Sequence, residues 1–301
     1  MKKHCLNLFI LLLCLATRAQ AQSANPIQDI FPKGTTLIGN IPYANDTLKK
    51  HLLDIYLPPV AKSSYPLIVW VHGGGWKKND KYSDMSYMTQ TLKGFMDKGY
   101  AVASINYRYS TDVPFPGQIQ DCNQAVEFLY QNAAKYKFDR ERIGVIGFSA
   151  GGHLASLMGL SNNSNIKEFY ADGKKPGFKI KLVLDFYGPA DLLSLKESTV
   201  KVDPNPITQL LGASITDRPD LGKIASPVTY IDKNDPPFLI VQGEKDEAVE
   251  YTQSVSLSLS LKLAGVKNEL IIVPDAPHFG VMFDAENIRQ KVFQYLDEYL
   301  K

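Results

Sequence analysis

The sequence predicts an α/β fold in which a mostly parallel central sheet of about eight strands is covered by helices on both faces. Three observations carry that expectation. Short apolar runs rich in β-branched and aromatic residues are continuous rather than alternating, as in strands buried on both faces. They alternate with segments long enough for helices, as in successive βαβ units. No repeat, low-complexity tract or linker interrupts the chain beyond its first residues, so one large domain is expected.

The elements follow in order. Lys2 and Lys3, the apolar run Leu6 to Leu15 and the small-x-small site Ala19-Gln20-Ala21 have the pattern of an export signal, residues 1–21. The apolar run is shorter than the roughly 20 residues that cross a bilayer, so cleavage near Ala21 and no stable membrane insertion are expected. Cys14 follows three leucines rather than the small residue a lipid-attachment site needs. The expected mature domain, residues 22–301, keeps 280 residues with 30 basic and 31 acidic side chains, a balance that argues against a nucleic-acid partner. It keeps Cys122 alone, so no intramolecular disulfide can form. Cys122 shares a helical face with Ile119, Val126, Leu129 and Ala133, and is expected to be a buried, inert thiol.

Thr36 to Ile41 and Leu52 to Leu57 are expected to add antiparallel strands at the sheet edge. Leu67 to Val71, Ala101 to Tyr107, Ile143 to Gly147, Lys181 to Tyr187, Phe238 to Val241 and Glu269 to Val273 supply the parallel strands. Helices are expected over Met85 to Lys98, Gln118 to Lys135 and Ala150 to Leu160. Ser254 to Leu263 alternates polar and apolar residues like a strand. It nevertheless lies where two strands need a crossover, is rich in leucine and ends before Gly265, so a helix is predicted there. Ile288, Val292, Phe293, Leu296 and Leu300 form the stripe of a closing helix. The polar stretches 161–179 and 194–235 are expected as long loops or short inserted helices on the ligand side of the sheet, shaping the substrate site.

Gly147-Phe148-Ser149-Ala150-Gly151 fits G-x-S-x-G between a strand and a helix. So sharp a turn crowds the backbone, which is why small residues flank Ser149, and it presents the hydroxyl at the helix's positive end. Upstream, a strand empties into His72-Gly73-Gly74-Gly75-Trp76. Three successive glycines cost backbone entropy that a plain turn need not spend; they permit close backbone approach. The amides of Gly74, Gly75 and Ala150 are therefore candidates to hold an oxyanion.

A serine needs a base, and histidine titrates in the useful range. His4 lies in the export signal, and His51 precedes an edge strand with no partner motif. His72 is better placed to orient the glycine loop. His153, four residues after Ser149 on the same helix, is expected to pack near the turn without facing the oxygen. His278, after the last parallel strand, is the candidate base. Its acidic partner should fall between serine and histidine in chain order. Asp246, in Gln242-Gly243-Glu244-Lys245-Asp246, is favoured; Glu244 is the reserve and Asp235 a neighbour that could serve. Asp191 is expected to cap its own loop. Trp76 and Tyr187 are candidates to line the acyl pocket, with burial for packing as the alternative for either.

Together these residues resemble the α/β-hydrolase superfamily, and within it the bacterial carboxylesterases that include acetylxylan and feruloyl esterases. The resemblance runs from LDIYLP at 53–58 through HGGGW at 72–76, NYR at 106–108 and GFSAGGHLA at 147–155 to QGEKD and APHFG. It implies a Ser149, Asp246, His278 triad, an oxyanion hole from Gly74, Gly75 and Ala150, and neither cofactor nor metal. With the export pattern of residues 1–21, it points to an exported serine carboxylesterase acting on a small-molecule or polysaccharide ester. Only residues 22 to about 50 precede the core pattern, short for the helical cap of hormone-sensitive-lipase-like relatives. The expected open site suits acetyl or feruloyl groups on plant polysaccharide such as xylan. A short-chain carboxylesterase, or a peptidase or amidase on the same triad, is the alternative. A binding protein that lost its chemistry would lack a triad member or an oxyanion glycine, and none is missing.

Overall fold

Seven consecutive residues, Tyr65–Val71, are buried in the computed structural model, with Leu67, Val69 and Val71 in one apolar cluster and Ile68 and Trp70 in another. Successive strand side chains point to opposite faces, so a strand covered on both sides must be apolar throughout. The structure describes residues 26–164, 166–195 and 205–301. The expected export signal, residues 1–21, lies outside them.

Among the described residues one sheet contains β1 (Thr36–Pro42), β2 (Leu52–Leu57), β3 (Tyr65–Val71), β4 (Ala101–Ile105), β5 (Phe138–Phe148), β6 (Ile180–Phe186), β7 (Phe238–Gly243) and β8 (Asn268–Val273). Their order is β1-β2-β4-β3-β5-β6-β7-β8. β2 is antiparallel to β1 and β4, and every pairing from β4 to β8 is parallel. The antiparallel pair thus lies at the edge where the sequence put it.

Helix α1 (Thr89–Lys98) packs on one face of the sheet. Helix α2 (Gly117–Gln131) packs on the other with Ile119, Cys122, Val126 and Leu129 buried, followed by the short helix α3 (Ala133–Tyr136) and by α4 (Ala150–Ser161). The Cys122 thiol is fully buried, and burial holds its pKa well above the ordinary value, which leaves it inert. Two short helices, α5 (Pro206–Leu211) and α6 (Pro219–Ala225), precede β7, and α7 (Tyr251–Leu263) crosses from β7 to β8. In α7 the buried set is Gln253, Ser254, Leu257, Ser258 and Leu261, while Leu259 and Leu263 are exposed. The apparent strand alternation therefore comes from leucines that face solvent. The last helix, α8 (Glu286–Tyr299), buries Ile288, Val292, Tyr295 and Leu296. Phe293 of the expected stripe is half-buried and meets Phe95 edge-on at 6.0 Å, in the space that Gly94 leaves open.

Two expected helices are each divided. Met85–Tyr87 forms a separate 3₁₀ turn and α1 begins at Thr89. The start of α1 is capped from 193 residues away: Asp284 accepts from the amides of Gln90 (2.7 Å) and Thr91 (2.9 Å) and from the Thr91 hydroxyl (2.7 Å). A carboxylate on the first orphan amides of a helix stabilises it by roughly 1 kcal/mol. Similarly, Asn132 divides α2 from α3, its side-chain amide donating to the Phe128 carbonyl.

The stretch 161–179 is not on the ligand side. It follows a helix rather than a strand: the first turn of α4 packs against Asp185 and Gly188 at the end of β6, whereas Gly159 in its last turn meets Val183 midway along β6 and Pro236 and Phe238 at the start of β7. Twelve helical residues carry the chain about 18 Å from Ser149 to the opposite end of the sheet. The stretch 194–235 does follow a strand and does approach the site, with Pro206 beside Gly75 and the Ala225 carbonyl accepting from His153. Residues 196–204 of it lie outside the described residues.

Asp185, fully buried, ties these layers by accepting from Ser156 Oγ (2.6 Å) and the Gly188 amide (2.9 Å). Burial raises its pKa to about 6. A carboxyl whose folded value lies above its unfolded value adds stability at low pH, and that share is lost as pH rises through about 6. His72 and His153, lowered by burial to about 4, act with the opposite sign: their share is present at neutral pH and lost as pH falls through about 4. Asp185→Asn keeps an acceptor for Gly188 and removes the titration. Relative to wild type, the variant should lose about 2–3 kcal/mol more at pH 4 than at pH 7. Thermal melts of both proteins across that range give the difference directly, and a pH-independent offset would show that Asp185 does not titrate there.

Candidate active site

Ser149 ends β5 and begins α4 with φ 54° and ψ −118°, a conformation that costs a non-glycine residue of order 1–3 kcal/mol. Its surroundings fix it there. The Ser149 amide donates to the Phe186 carbonyl (2.9 Å), and the Ser149 carbonyl accepts from the His153 amide (2.9 Å). The flanking glycines are sterically required. A Cβ on Gly147 would lie 2.1 Å from the Gly151 carbonyl oxygen, and one on Gly151 would lie 2.1 Å from that of Val71. Gly151→Ala should therefore lower stability by more than about 3 kcal/mol or abolish soluble expression, since backbone, not a flexible side chain, must move. A chemical denaturation midpoint equal to wild type would contradict this packing.

The loops after β7 and β8 reach this serine past β6. His278, after β8, places Nε2 2.7 Å from Ser149 Oγ and Nδ1 2.7 Å from Asp246 Oδ2. Asp246, after β7, is buried, and its other oxygen accepts from the amides of Ala248 (2.9 Å) and Val249 (2.8 Å). Oδ2 also accepts from Gln242 Nε2 (2.8 Å), whose own carbonyl oxygen accepts from Ser254 Oγ (2.8 Å). Gln242 was not singled out from sequence, although a glutamine closing an apolar strand is the kind of buried polar group that needs a reason. The structure thus brings together Ser149, His278 and Asp246.

The alternatives lie elsewhere. Glu244 accepts from the Asp275 amide (3.0 Å), which fastens the His278 loop rather than the imidazole. Asp235 accepts from the Asp232 amide (2.7 Å), and Asp191 from that of Leu193 (3.0 Å) as a loop cap. His72 is buried, stacked on Tyr107 with 4.3 Å between ring centroids, and donates from Nδ1 to the Gly73 carbonyl (2.7 Å), so it pins the glycine loop. His51 pairs with Asp46 (2.6 Å) away from this site.

Gly74 (φ 118°) and Gly75 (φ 59°) line the same pocket as Ser149, and neither amide has an acceptor among the described residues. A Cβ on Gly74 would lie 2.3 Å from the Lys78 carbonyl oxygen. Ala150 is buried at the first position of α4, where helix amides have no partner within the helix.

The two aromatic candidates separate. Tyr187 lines the pocket, with its ring 5.1 Å from His278 and 4.7 Å from Phe283. Trp76 does not line it. Its buried indole N–H requires a partner and donates to His153 Nδ1 (3.2 Å), while His153 Nε2 donates to the Ala225 carbonyl (2.8 Å). His153 is thereby neutral and turned from the serine. Asp84, missed in the sequence, sits on the pocket wall with φ 67°; its Oδ2 accepts from the Gly73 amide (2.8 Å), and burial raises its pKa to about 6. The open pocket measures about 430 Å³. Among the described residues no group of three histidine, cysteine or acidic side chains is placed to hold a metal, and no helix is long and apolar enough to cross a membrane.

A serine strained at a strand-to-helix turn, at the crest of a sheet in this order, is the construction of an α/β-hydrolase, and comparison with known proteins puts the chain in that superfamily's carboxylesterase branch. More narrowly, it belongs to the BD-FAE family, whose model matches residues 53–261. Esterase LipQ of Mycobacterium tuberculosis is 31% identical over 251 residues, 79% of this chain and 56% of its own length. The chain spans little more than half of such curated relatives. Among solved structures, a truncated carbohydrate esterase from gut microbiota superposes with TM-score 0.80 at 32% identity, covering 89% of this chain and 98% of its own. The bifunctional GH43-CE protein of Bacteroides eggerthii gives 0.79 at 37% identity, over 87% of this chain and 38% of its own.

Proposed function

We propose that the protein is a serine carboxylesterase that works through an acyl-enzyme, with Ser149 as nucleophile, His278 as base and Asp246 as the carboxylate that orients it. The observation carrying this reading is the unbroken hydrogen-bonded line from Ser149 Oγ through both nitrogens of His278 to Asp246. Ser149 Oγ bonds to the ester carbonyl carbon as His278 Nε2 takes its proton, and Asp246 stabilises the resulting imidazolium. The negative oxygen is met by the amides of Gly74, Gly75 and Ala150, each such donor typically contributing about a hundredfold to a thousandfold in rate. Collapse breaks the bond to the alcohol, which receives the proton from His278. Water then repeats the sequence on the acyl-enzyme and releases the acid.

The proposed substrates are acetyl or feruloyl esters on plant polysaccharide such as xylan, or on its oligosaccharides. Two solved relatives at 32% and 37% identity, one named a carbohydrate esterase and the other a GH43-CE protein, support this choice. Residues 1–21 would act as an export signal and deliver the enzyme to the periplasm or beyond, where such polymers are met. The mycobacterial relatives, named simply as esterases or carboxylic ester hydrolases, favour a second reading as a short-chain carboxylesterase.

Incubating the protein and its Ser149→Ala variant with acetylated xylan, a feruloylated oligosaccharide and short-chain aryl esters, and quantifying each released acid, separates these readings. Ser149-dependent acetate or ferulate from the carbohydrate is expected. Release from aryl esters alone would leave the short-chain reading, and release from none would remove the esterase.

A further inference from the structure

We propose that the outer half of the Ser149 pocket is a saccharide subsite for the alcohol side of the ester, with Phe279 and Tyr87 as its ring platform and Asp84 and Asn79 as its hydroxyl partners. This inference rests on the esterase reading above and names the residues that would hold the sugar of the alcohol.

Direction comes first. The general acid must reach the leaving oxygen, so the alcohol departs beside His278 Nε2. The next residue along the chain is Phe279, whose ring lies 6.2 Å from the imidazole and is 53% exposed. Tyr87 stands 5.7 Å from Phe279 at an interplanar angle of 43°, and both rings line the pocket. A single exposed apolar residue needs no explanation, but two rings set against each other on the wall of a pocket, beside the histidine, offer a ligand an apolar face.

The facing wall is polar and unengaged. Asp84 Oδ2 is committed to the Gly73 amide, whereas its Oδ1 has no hydrogen-bond partner among the described residues. The side-chain amide of Asn79 and the hydroxyl of Ser86, both on the pocket wall, are likewise without partners there. Gly73 joins this wall to the chemistry: a Cβ built on it would lie 3.4 Å from Ser149 Cβ and 3.5 Å from Asp84 Oδ2. Asp84 and Asn79 both hold left-handed backbone, a strain that gathers where side chains must be aimed at a ligand.

A sugar ring matches this pairing of walls. Its C–H face is apolar enough to pack on an aromatic ring, and each of its hydroxyls both donates and accepts, so it needs a carboxylate oxygen and an amide within reach. A fatty alcohol would satisfy the rings alone and strip water from the polar wall without replacing its hydrogen bonds, which is unfavourable.

Two measurements test the subsite. The first titrates the Ser149→Ala protein with acetylated xylotriose by isothermal calorimetry. Adding Phe279→Ala should weaken binding at least tenfold, and Phe279→Tyr, which keeps the ring, should restore it. The second compares kcat/KM for acetylated xylotriose with that for vinyl acetate, which shares the acyl group and has no sugar. In Phe279→Ala and in Asp84→Asn that ratio should fall about tenfold, chiefly through KM. Equal losses on both esters would mean that these residues support His278 or the glycine loop, and would overturn the proposal. Saccharide binding and turnover indifferent to the variants, with vinyl acetate hydrolysis still requiring Ser149, would remove the subsite and leave the esterase. Ser149-independent behaviour on both esters would remove the esterase reading and this inference with it.

Discussion

Replacing Ser149 by alanine is expected to lower kcat by about a millionfold on whichever ester proves best, the scale on which loss of a triad nucleophile is felt. The fold should survive, because Ser149 is held by its main chain: its amide and carbonyl bond to Phe186 and His153, and alanine keeps both. His278 would keep Asp246 and lose only the contact at Nε2. Active-site titration with a phosphonate ester, which labels the serine oxygen, should give one equivalent bound in wild type and none in the variant. Activity within a hundredfold of wild type would remove Ser149 as nucleophile.

Asp246→Asn should follow with a loss of about ten-thousandfold in kcat, the size found where the triad carboxylate becomes an amide. The environment of Asp246 makes the reason specific. Asparagine can keep Oδ1 toward the amides of Ala248 and Val249, which places Nδ2 where Oδ2 was, facing Gln242 Nε2 and His278 Nδ1. Donor would then meet donor on both sides. Relief comes when His278 shifts its proton to Nε2, the tautomer that cannot take one from Ser149. The measurement is kcat for Asp246→Asn beside Glu244→Gln. The second variant keeps an acceptor for the Asp275 amide and should lose less than tenfold; a loss matching Asp246→Asn would exchange the two roles.

Much of this arrangement was legible because it is written locally. The run ending at Phe148 and the glycines around Ser149 announce a crowded turn within five residues, and Gly74 and Gly75 do the same for their loop. Chain order then leaves few candidates for the proposed acid and base. What the sequence hid depends on residues far apart. The cap on α1 comes from Asp284, and nothing near Thr89 announces it. Asp84 appears on the wall only because the loop after β3 folds back to its Gly73. Trp76 sits next to Gly74 and Gly75 in the chain, yet its N–H is drawn inward by His153 on a different element. The stretch 161–179 lies at the opposite end of the sheet from the one its sequence suggests, because polarity and length say nothing of which end of a helix a loop leaves. In α7 the misleading alternation came from exposed leucines, and the need for a crossover between parallel strands outweighed it.

The order in which the proposed triad is encoded bears on when the protein would act. Ser149 lies near the middle of the chain, whereas Asp246 and His278 follow β7 and β8, at the far edge of the sheet. A chain emerging from the ribosome therefore carries Ser149, the proposed nucleophile, long before His278, the proposed base, and the two meet only after the final strand has docked. On the proposed mechanism ester hydrolysis would report on finished folding: in a refolding experiment its recovery should trail the return of helical signal, and a nascent or half-folded chain would be silent toward the esters of the cell that makes it.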